Sequence, residues 1–128
     1  MGWRHDTRKV IRAYPALKRA ESELKRQKVI PSYSGMPKPS GASRSTEETA
    51  TRELPKGQQR ELDAVRYSIE TTNRYRNGDL RIKMIDLVYW RNTHTLTGAA
   101  MALHVSIDTA RHWHSDFVEL VDAYLRIL

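Results

Sequence analysis

The chain has 128 residues, with 22 Lys and Arg against 15 Asp and Glu and no cysteine. This length suits one small domain with an appendage, since domains cluster near about 100–150 residues. Without cysteine there is no disulfide framework and no thiolate zinc site, and no apolar run approaches the roughly 20 residues that span a bilayer. We therefore expect a protein of the reducing cytoplasm and exclude membrane, secreted and fibrous classes.

The positive charge is concentrated in the first third of the chain. Residues 1–46 carry 11 basic and 3 acidic side chains, a net charge of +8, whereas residues 47–128 carry 11 basic and 12 acidic side chains, a net charge of −1. A cluster of this density attracts polyanions, of which nucleic acid is the commonest. The alternative is a solvated face that only keeps the protein soluble.

The N-terminal segment from about Asp6 to Val29 is predicted to be a helix rich in Lys and Arg, with one narrow apolar stripe. Pro15 lacks a backbone donor and is predicted to kink or restart this helix. The stripe is too narrow to form a core alone, so it must lie against another helix of this chain or of a second copy. The stripe consists of Val10, Tyr14, Leu17 and Leu24.

A linker and a helical middle segment follow. Residues 30–46 are rich in Pro, Gly and Ser and are predicted to be a flexible, extended linker. Ser45-Thr46-Glu47 is typical of a helix start, and Pro55 interrupts the helix that it begins. A second helical stretch over Gln58–Arg76 ends at Asn77-Gly78-Asp79, where a positive φ is tolerated. Its apolar face is formed by Leu62, Val65, Ile69 and Thr72.

The last fifty residues are predicted to form three helices. Asp79–Trp90 is short and apolar on one side, Thr95–Leu103 is rich in alanine, and Ile107–Leu125 is amphipathic. Since no stretch alternates with the period of a strand, the chain is predicted to be all-α. The inward positions of the final helix are Ala110, Trp113, Phe117, Leu120 or Val121, and Tyr124. We divide the chain into a basic helix (1–29), a linker (30–46), a helical middle segment (47–78) and a C-terminal helix-turn-helix domain (79–128).

Thr97 to Trp113 has the spacing of a helix-turn-helix. Ala100 is small where two helices would cross, and Ser106 is suited to cap the second helix. His104 occupies a position that usually carries Gly, which predicts either a strained backbone or a different turn. The alternative is a plain three-helix bundle with the same spacing. The residues predicted to project outward at the start of the second helix are Ile107, Asp108, Thr109, Arg111, His112 and Ser115.

The C-terminal half resembles the sigma region-4-like helix-turn-helix, above all that of phage late-gene transcriptional regulators of the RinA/ArpU type. The residues that carry the resemblance are Leu103-His104-Val105-Ser106, Thr109-Ala110-Arg111-His112-Trp113 and, before them, Ile85-Asp86-Leu87-Val88-Tyr89-Trp90. Three segments nearer the N-terminus also resemble the family and occur in the family's order. They are Tyr14-Pro15, Ile30-Pro31-Ser32-Tyr33-Ser34-Gly35-Met36-Pro37 and Ser45-Thr46-Glu47. The resemblance implies a phage or prophage protein that binds promoter DNA, activates late or packaging genes and acts beside host RNA polymerase in the bacterial cytoplasm, on nucleoid DNA.

Carried onto this chain, the resemblance assigns DNA-facing roles to Thr97, Ser106, Ile107, Asp108, Thr109, Arg111 and His112. Arg111 and His112 would hydrogen-bond base edges, while Thr97, Ser106 and Thr109 would contact phosphates. The basic helix would bind phosphates of double-stranded DNA, dock on host RNA polymerase, or pair with a second copy in a homodimer. Its candidate residues are Arg4, Arg8, Lys9, Arg12, Lys18, Arg19, Lys25, Arg26 and Lys28.

We expect no metal site, cofactor or enzymatic activity. His112 and His114 lie about 200° apart on a helix, so they cannot share a metal as an i, i+4 pair can. The aromatic residues Tyr89, Trp90 and Trp113 are predicted to belong to the core. Two other functions remain open: a small terminase-like packaging protein that forms a ring, and an interaction module whose acidic terminal helix contacts protein without specific DNA binding.

Overall fold

The computed structural model describes residues 2–29 and 53–128, and within these ranges every regular element is helical. The predicted all-α class is thus confirmed for the described chain. The helices are α1 (Gly2–Val29), α2 (Lys56–Asn73), α3 (Gly78–Ile85), α4 (Leu96–Ala102) and α5 (Ile107–Ile127), and a π-helical turn, Asp86–Trp90, continues α3. The predicted linker over residues 30–46 and the helix start at Ser45-Thr46-Glu47 lie outside the described residues, as do the side chains of Arg4 and Lys28.

The main hydrophobic core draws on every helix. The inner stripe of α5 is buried as the spacing predicts, with Val121 rather than Leu120 at the ambiguous position. The apolar face predicted for α2 is also confirmed, since Leu62 and Val65 are fully buried and Thr72 is nearly so. Tyr89 and Trp113 are buried in this core and Trp90 is half-buried, as expected for core aromatics.

Helix α1 packs against other helices of the same chain, chiefly α2 and α5. Its buried residues Val10 and Ile11 belong to the main core, and Leu17 forms a smaller cluster with Leu54 and Leu62. The narrow apolar stripe therefore finds its partners within the chain, which is the first of the two alternatives that the sequence left open.

Of the kink or restart predicted at Pro15, the restart does not occur, because Trp90 compensates for the missing donor. Pro15 has no N–H, so the carbonyl of Ile11 four residues earlier has no helical donor. The indole Nε1 of Trp90 donates to the Ile11 carbonyl oxygen at 2.8 Å. The Tyr14 ring packs on the same indole, with centroids 5.3 Å apart, and α1 runs through Pro15 as one helix.

The α2–α3 turn is fixed by Asn77 and Gly78. Helix α2 ends at Asn73, three residues before the predicted Arg76, and Asn77 has a φ of 60°. A Cβ on Gly78 would lie 2.4 Å from the Thr72 carbonyl oxygen, far inside van der Waals contact. Glycine thus allows α3 to leave close to the backbone of α2. The positive φ predicted within Asn77-Gly78-Asp79 is present at Asn77, although α2 itself ends before this segment.

Candidate nucleic-acid interface

A Schellman motif forms the bend between α4 and α5. The N–H of His104 donates to the Met101 carbonyl at 3.2 Å, and the N–H of Val105 donates to the Ala100 carbonyl at 3.0 Å. This pair of bonds requires a left-handed backbone conformation at the residue whose N–H makes the shorter-range bond, here His104. Glycine usually occupies that position. His104 adopts this conformation with a φ of 60°, so the strained backbone predicted from the sequence is present.

Hydroxyl side chains cap both helices at the bend. Ser106 Oγ accepts from the N–H of Thr109 at 3.0 Å and donates to the Thr109 hydroxyl at 2.9 Å, which confirms the predicted cap of α5. Thr95 Oγ1 accepts from the N–H of Gly98 at 3.0 Å and caps α4. Sequence reasoning missed Thr95, although a hydroxyl residue directly before the apolar Leu96 is a recognised start signal.

The inner side of the bend joins the core. Ala110 is fully buried, Ala100 nearly so, and Leu103 and Val105 are half-buried against the main core. Small residues thus allow α4 and α5 to approach each other closely, as the spacing predicts.

The outer side of α5 presents a ridge of polar side chains. The exposed fractions of the side chains are 90% for Asp108, 67% for Arg111 and 76% for His112. Thr97 and Ser106 are also exposed. The structure therefore brings Asp108, Arg111 and His112 together on one solvent-facing surface beside the bend.

Three other predicted DNA-facing residues are less accessible. Thr109 and Ser115 are half-buried. Ile107 is half-buried and packs against the main core, because a residue at the first turn of α5 still contacts the helices beneath it.

Arg111 and His112 of the ridge lie at long distances from their acidic partners. Arg111 Nη1 lies 3.7 Å from Asp108 Oδ1, and His112 Nε2 lies 3.7 Å from Asp116 Oδ2. Exposed pairs of this length contribute little to stability, about 0–1 kcal/mol. Both side chains can therefore leave these partners at low cost when another acceptor approaches.

Arg81 supports the ridge from α3, and sequence reasoning missed it. Its Nη1 lies 3.3 Å from Asp116 Oδ2, and its guanidinium lies over the rings of Tyr75 at 5.1 Å and Trp113 at 5.6 Å. Its Nε is buried without a hydrogen-bond partner in the described part of the chain. Arg81 thus fixes the carboxylate that faces His112, and no local sequence pattern marks a contact between residues so far apart.

On the opposite flank of α5, a stack of rings reaches α1. The rings of Tyr89 and His114 are parallel with centroids 5.7 Å apart, and Tyr89 Oη lies 2.8 Å from His114 Nε2. The guanidinium of Arg12 lies 5.3 Å from the Tyr89 centroid. Burial raises the pKa of the Tyr89 phenol, and the positive charges of Arg8 and Arg12 oppose that shift.

His112 and His114 consequently have separate surroundings. His112 faces Asp116 and solvent, whereas His114 is stacked on Tyr89. Among residues 2–29 and 53–128, no group of three or more His, Cys, Asp or Glu side chains is arranged to hold a metal ion. Within the same ranges, no helix has the length and apolar character needed to cross a membrane.

Comparisons with protein-family models, with curated proteins and with solved structures give no match to this chain. The fold and the geometry of the bend are therefore the observations on which a functional proposal rests.

Proposed function

We propose that this protein binds double-stranded DNA in a sequence-specific manner, with α5 in the major groove. The observation that carries the proposal is the ridge beside the bend, where Arg111 and His112 extend into solvent while Ala110 and Trp113 anchor the same helix in the core. A recognition helix needs this division between a fixed inner face and free outer side chains near its start.

The side chains of the ridge suit the hydrogen-bonding groups of the major groove. Arg111 can donate two hydrogen bonds to O6 and N7 of a guanine, the commonest specific contact of an arginine. Asp108, one turn earlier, is an acceptor, and cytosine N4 is a donor that an aspartate can use. The exposed hydroxyls of Thr97 and Ser106 would contact phosphates and set the register.

The resemblance to phage late-gene regulators gives this DNA-binding protein its proposed role. In that role it binds a promoter and activates late or packaging genes in the bacterial cytoplasm, with host RNA polymerase as a further partner. The bend and the ridge support this role because they occur where the resemblance places its DNA-contacting residues.

The test is selection of binding sites from random duplex DNA by the full chain, followed by measurement of specific and non-specific affinity. We expect Arg111→Ala and His112→Ala each to reduce discrimination between specific and non-specific DNA by about 5- to 150-fold, since a good base contact contributes about 1–3 kcal/mol. Arg74→Ala is the matched control, because Arg74 is an exposed arginine of the α2–α3 turn, and it should keep the discrimination.

Chemically altered bases localise the contact. Replacing a selected guanine by 7-deazaguanine removes the N7 acceptor and should weaken wild-type binding but not binding by Arg111→Ala. Replacing it by inosine alters only the minor groove and should have no effect. Unchanged discrimination in both ridge variants would overturn the proposal and favour an interaction module; a ring of eight or more copies in native mass spectrometry would favour a packaging protein.

A further inference from the structure

Four arginines form a row along the outer face of α1. Arg8, Arg12, Arg19 and Arg26 are all exposed. At 100° per residue they fall within about 40° of one another, and at 1.5 Å per residue they extend over about 27 Å. A shallow groove of about 380 Å³ runs beside the row, lined by Pro15, Lys18, Arg19, Ser22, Glu23 and Arg26. We call Arg8, Arg12, Arg19 and Arg26 the arginine row.

Among the described side chains of α1, residues 6–26, the apolar inner face already packs against the rest of the chain. Val10, Ile11 and Leu17 are buried, and Ala13, Tyr14, Ala20 and Leu24 pack as partly buried residues against the same clusters. A coiled-coil dimer needs an apolar seam on each helix. The apolar seam of α1 already packs against other helices of the same chain. The face of α1 that remains open to a partner is therefore charged and not apolar.

The arginine row is not neutralised within the described residues, unlike most arginines of the remaining chain. Arg66, Arg81, Arg91, Arg111 and Arg126 each have a carboxylate within 4.0 Å. Across the described ranges no such ion pair involves a member of the row. With Glu23 as the one carboxylate among the residues that line the groove, the row presents a net positive field of the kind that polyanions neutralise.

Helix α1 packs directly against α5. Arg12 of the row lies over the Tyr89 ring, and Tyr89 stacks on His114, on the flank of α5 that faces α1. The row and the ridge therefore lie on neighbouring helices, and an extended polyanion is a ligand long enough to contact both.

We infer that the arginine row binds the phosphodiester backbone of the same DNA duplex that α5 reads, beside the contacted bases. This inference rests on the proposed function and extends it to a second contact surface. The row contributes affinity without sequence information, because phosphates are the same at every base pair. Helix α1 is therefore a DNA-backbone contact and not a coiled-coil dimerisation helix.

The experiment compares the triple variant Arg8→Gln/Arg19→Gln/Arg26→Gln with wild type in the full chain. Arg12 is left unchanged because it contacts Tyr89. The slope of log affinity against log salt should become shallower by about 2.7, since each lost phosphate contact removes about 0.9. At 0.1 M salt this corresponds to about 10²–10³-fold weaker binding, with the ratio of specific to non-specific affinity unchanged.

The matched control is Arg74→Gln/Arg76→Gln/Lys83→Gln, which removes the same charge from exposed positions outside α1. Circular dichroism and thermal unfolding verify that both triple variants fold. An equal loss in both triple variants would show a general charge effect and overturn the inference, as would an unchanged salt slope in the α1 variant. Neither result would touch the base discrimination tested with Arg111→Ala, so this inference and the proposed function can fail separately.

Discussion

At the scale of single residues, His104 determines how α4 turns into α5. Its φ of 60° is the conformation in which a Cβ is unfavourable. The Schellman bonds of His104 and Val105 maintain it. Strain of this kind persists where the surrounding structure requires it, often beside a functional surface. In this chain the strained residue directly precedes the exposed ridge of α5.

Replacing His104 by glycine should stabilise the fold. Relief of the left-handed strain is worth about 1–2 kcal/mol, and the greater freedom of glycine in the unfolded chain offsets about 0.5–1 kcal/mol of it. We expect His104→Gly to raise the free energy of unfolding by up to about 1.5 kcal/mol in urea titrations. His104→Ala, which retains the Cβ, is the control. If both variants gain equally, the gain comes from the imidazole and not from the backbone.

At the scale of helices, the continuity of α1 depends on a side chain of the π-helical turn. The indole of Trp90 supplies the donor that Pro15 cannot. A π-helical turn contains one residue more than the α-helical pattern provides, and such turns are frequent at functional positions. In this protein the turn carries both Trp90, which contacts α1, and Tyr89, which contacts α5.

Removing the indole donor of Trp90 should lower the free energy of unfolding. Trp90→Phe leaves the Ile11 carbonyl without a partner, so we expect a loss of about 1–3 kcal/mol in the free energy of unfolding. Pro15→Ala restores a backbone N–H that can reach the same carbonyl. In a double-mutant cycle, the cost of Trp90→Phe should be about 1 kcal/mol smaller in the Pro15→Ala background. Equal costs in the two backgrounds would contradict this role of Trp90.

The sequence predicts the positions of the helices better than it predicts the contacts between the helices. Local spacing predicts the buried stripe of α5, and a single hydroxyl predicts the Ser106 cap, because these features depend on neighbours within one turn. Arg81 and Trp90 act on partners 35 and 79 residues away. No spacing rule reaches that far, which is why the sequence predicted a kink or restart at Pro15 and gave Arg81 no role.

At the scale of the whole molecule, α1 belongs to the core as much as to the surface. Val10 and Ile11 share one cluster with Met84 and Phe117, and Thr7 Oγ1 lies 3.5 Å from Asp122 Oδ1 of α5. The helix thus combines an inner face that completes the fold with an outer face that carries the arginine row.

Deleting residues 1–29 should unfold the protein instead of merely removing a basic segment. The deletion would expose apolar surface on α2, α5 and the π-helical turn, and each fully buried aliphatic side chain contributes about 1.5–3 kcal/mol. With natural domains stable by about 5–15 kcal/mol, we expect loss of the cooperative thermal transition in calorimetry. A truncated protein that melts cooperatively at the wild-type temperature would show that α1 is dispensable.

The packing of α1 on α2 and α5 also affects how the protein is made. Synthesis proceeds from the N-terminus at about 5–20 residues per second, and 77 residues separate the end of α1 from the start of α5. The apolar stripe of α1 therefore emerges from the ribosome several seconds before the helix that covers it. During that interval the part of the stripe that α5 covers remains exposed to solvent on the nascent chain.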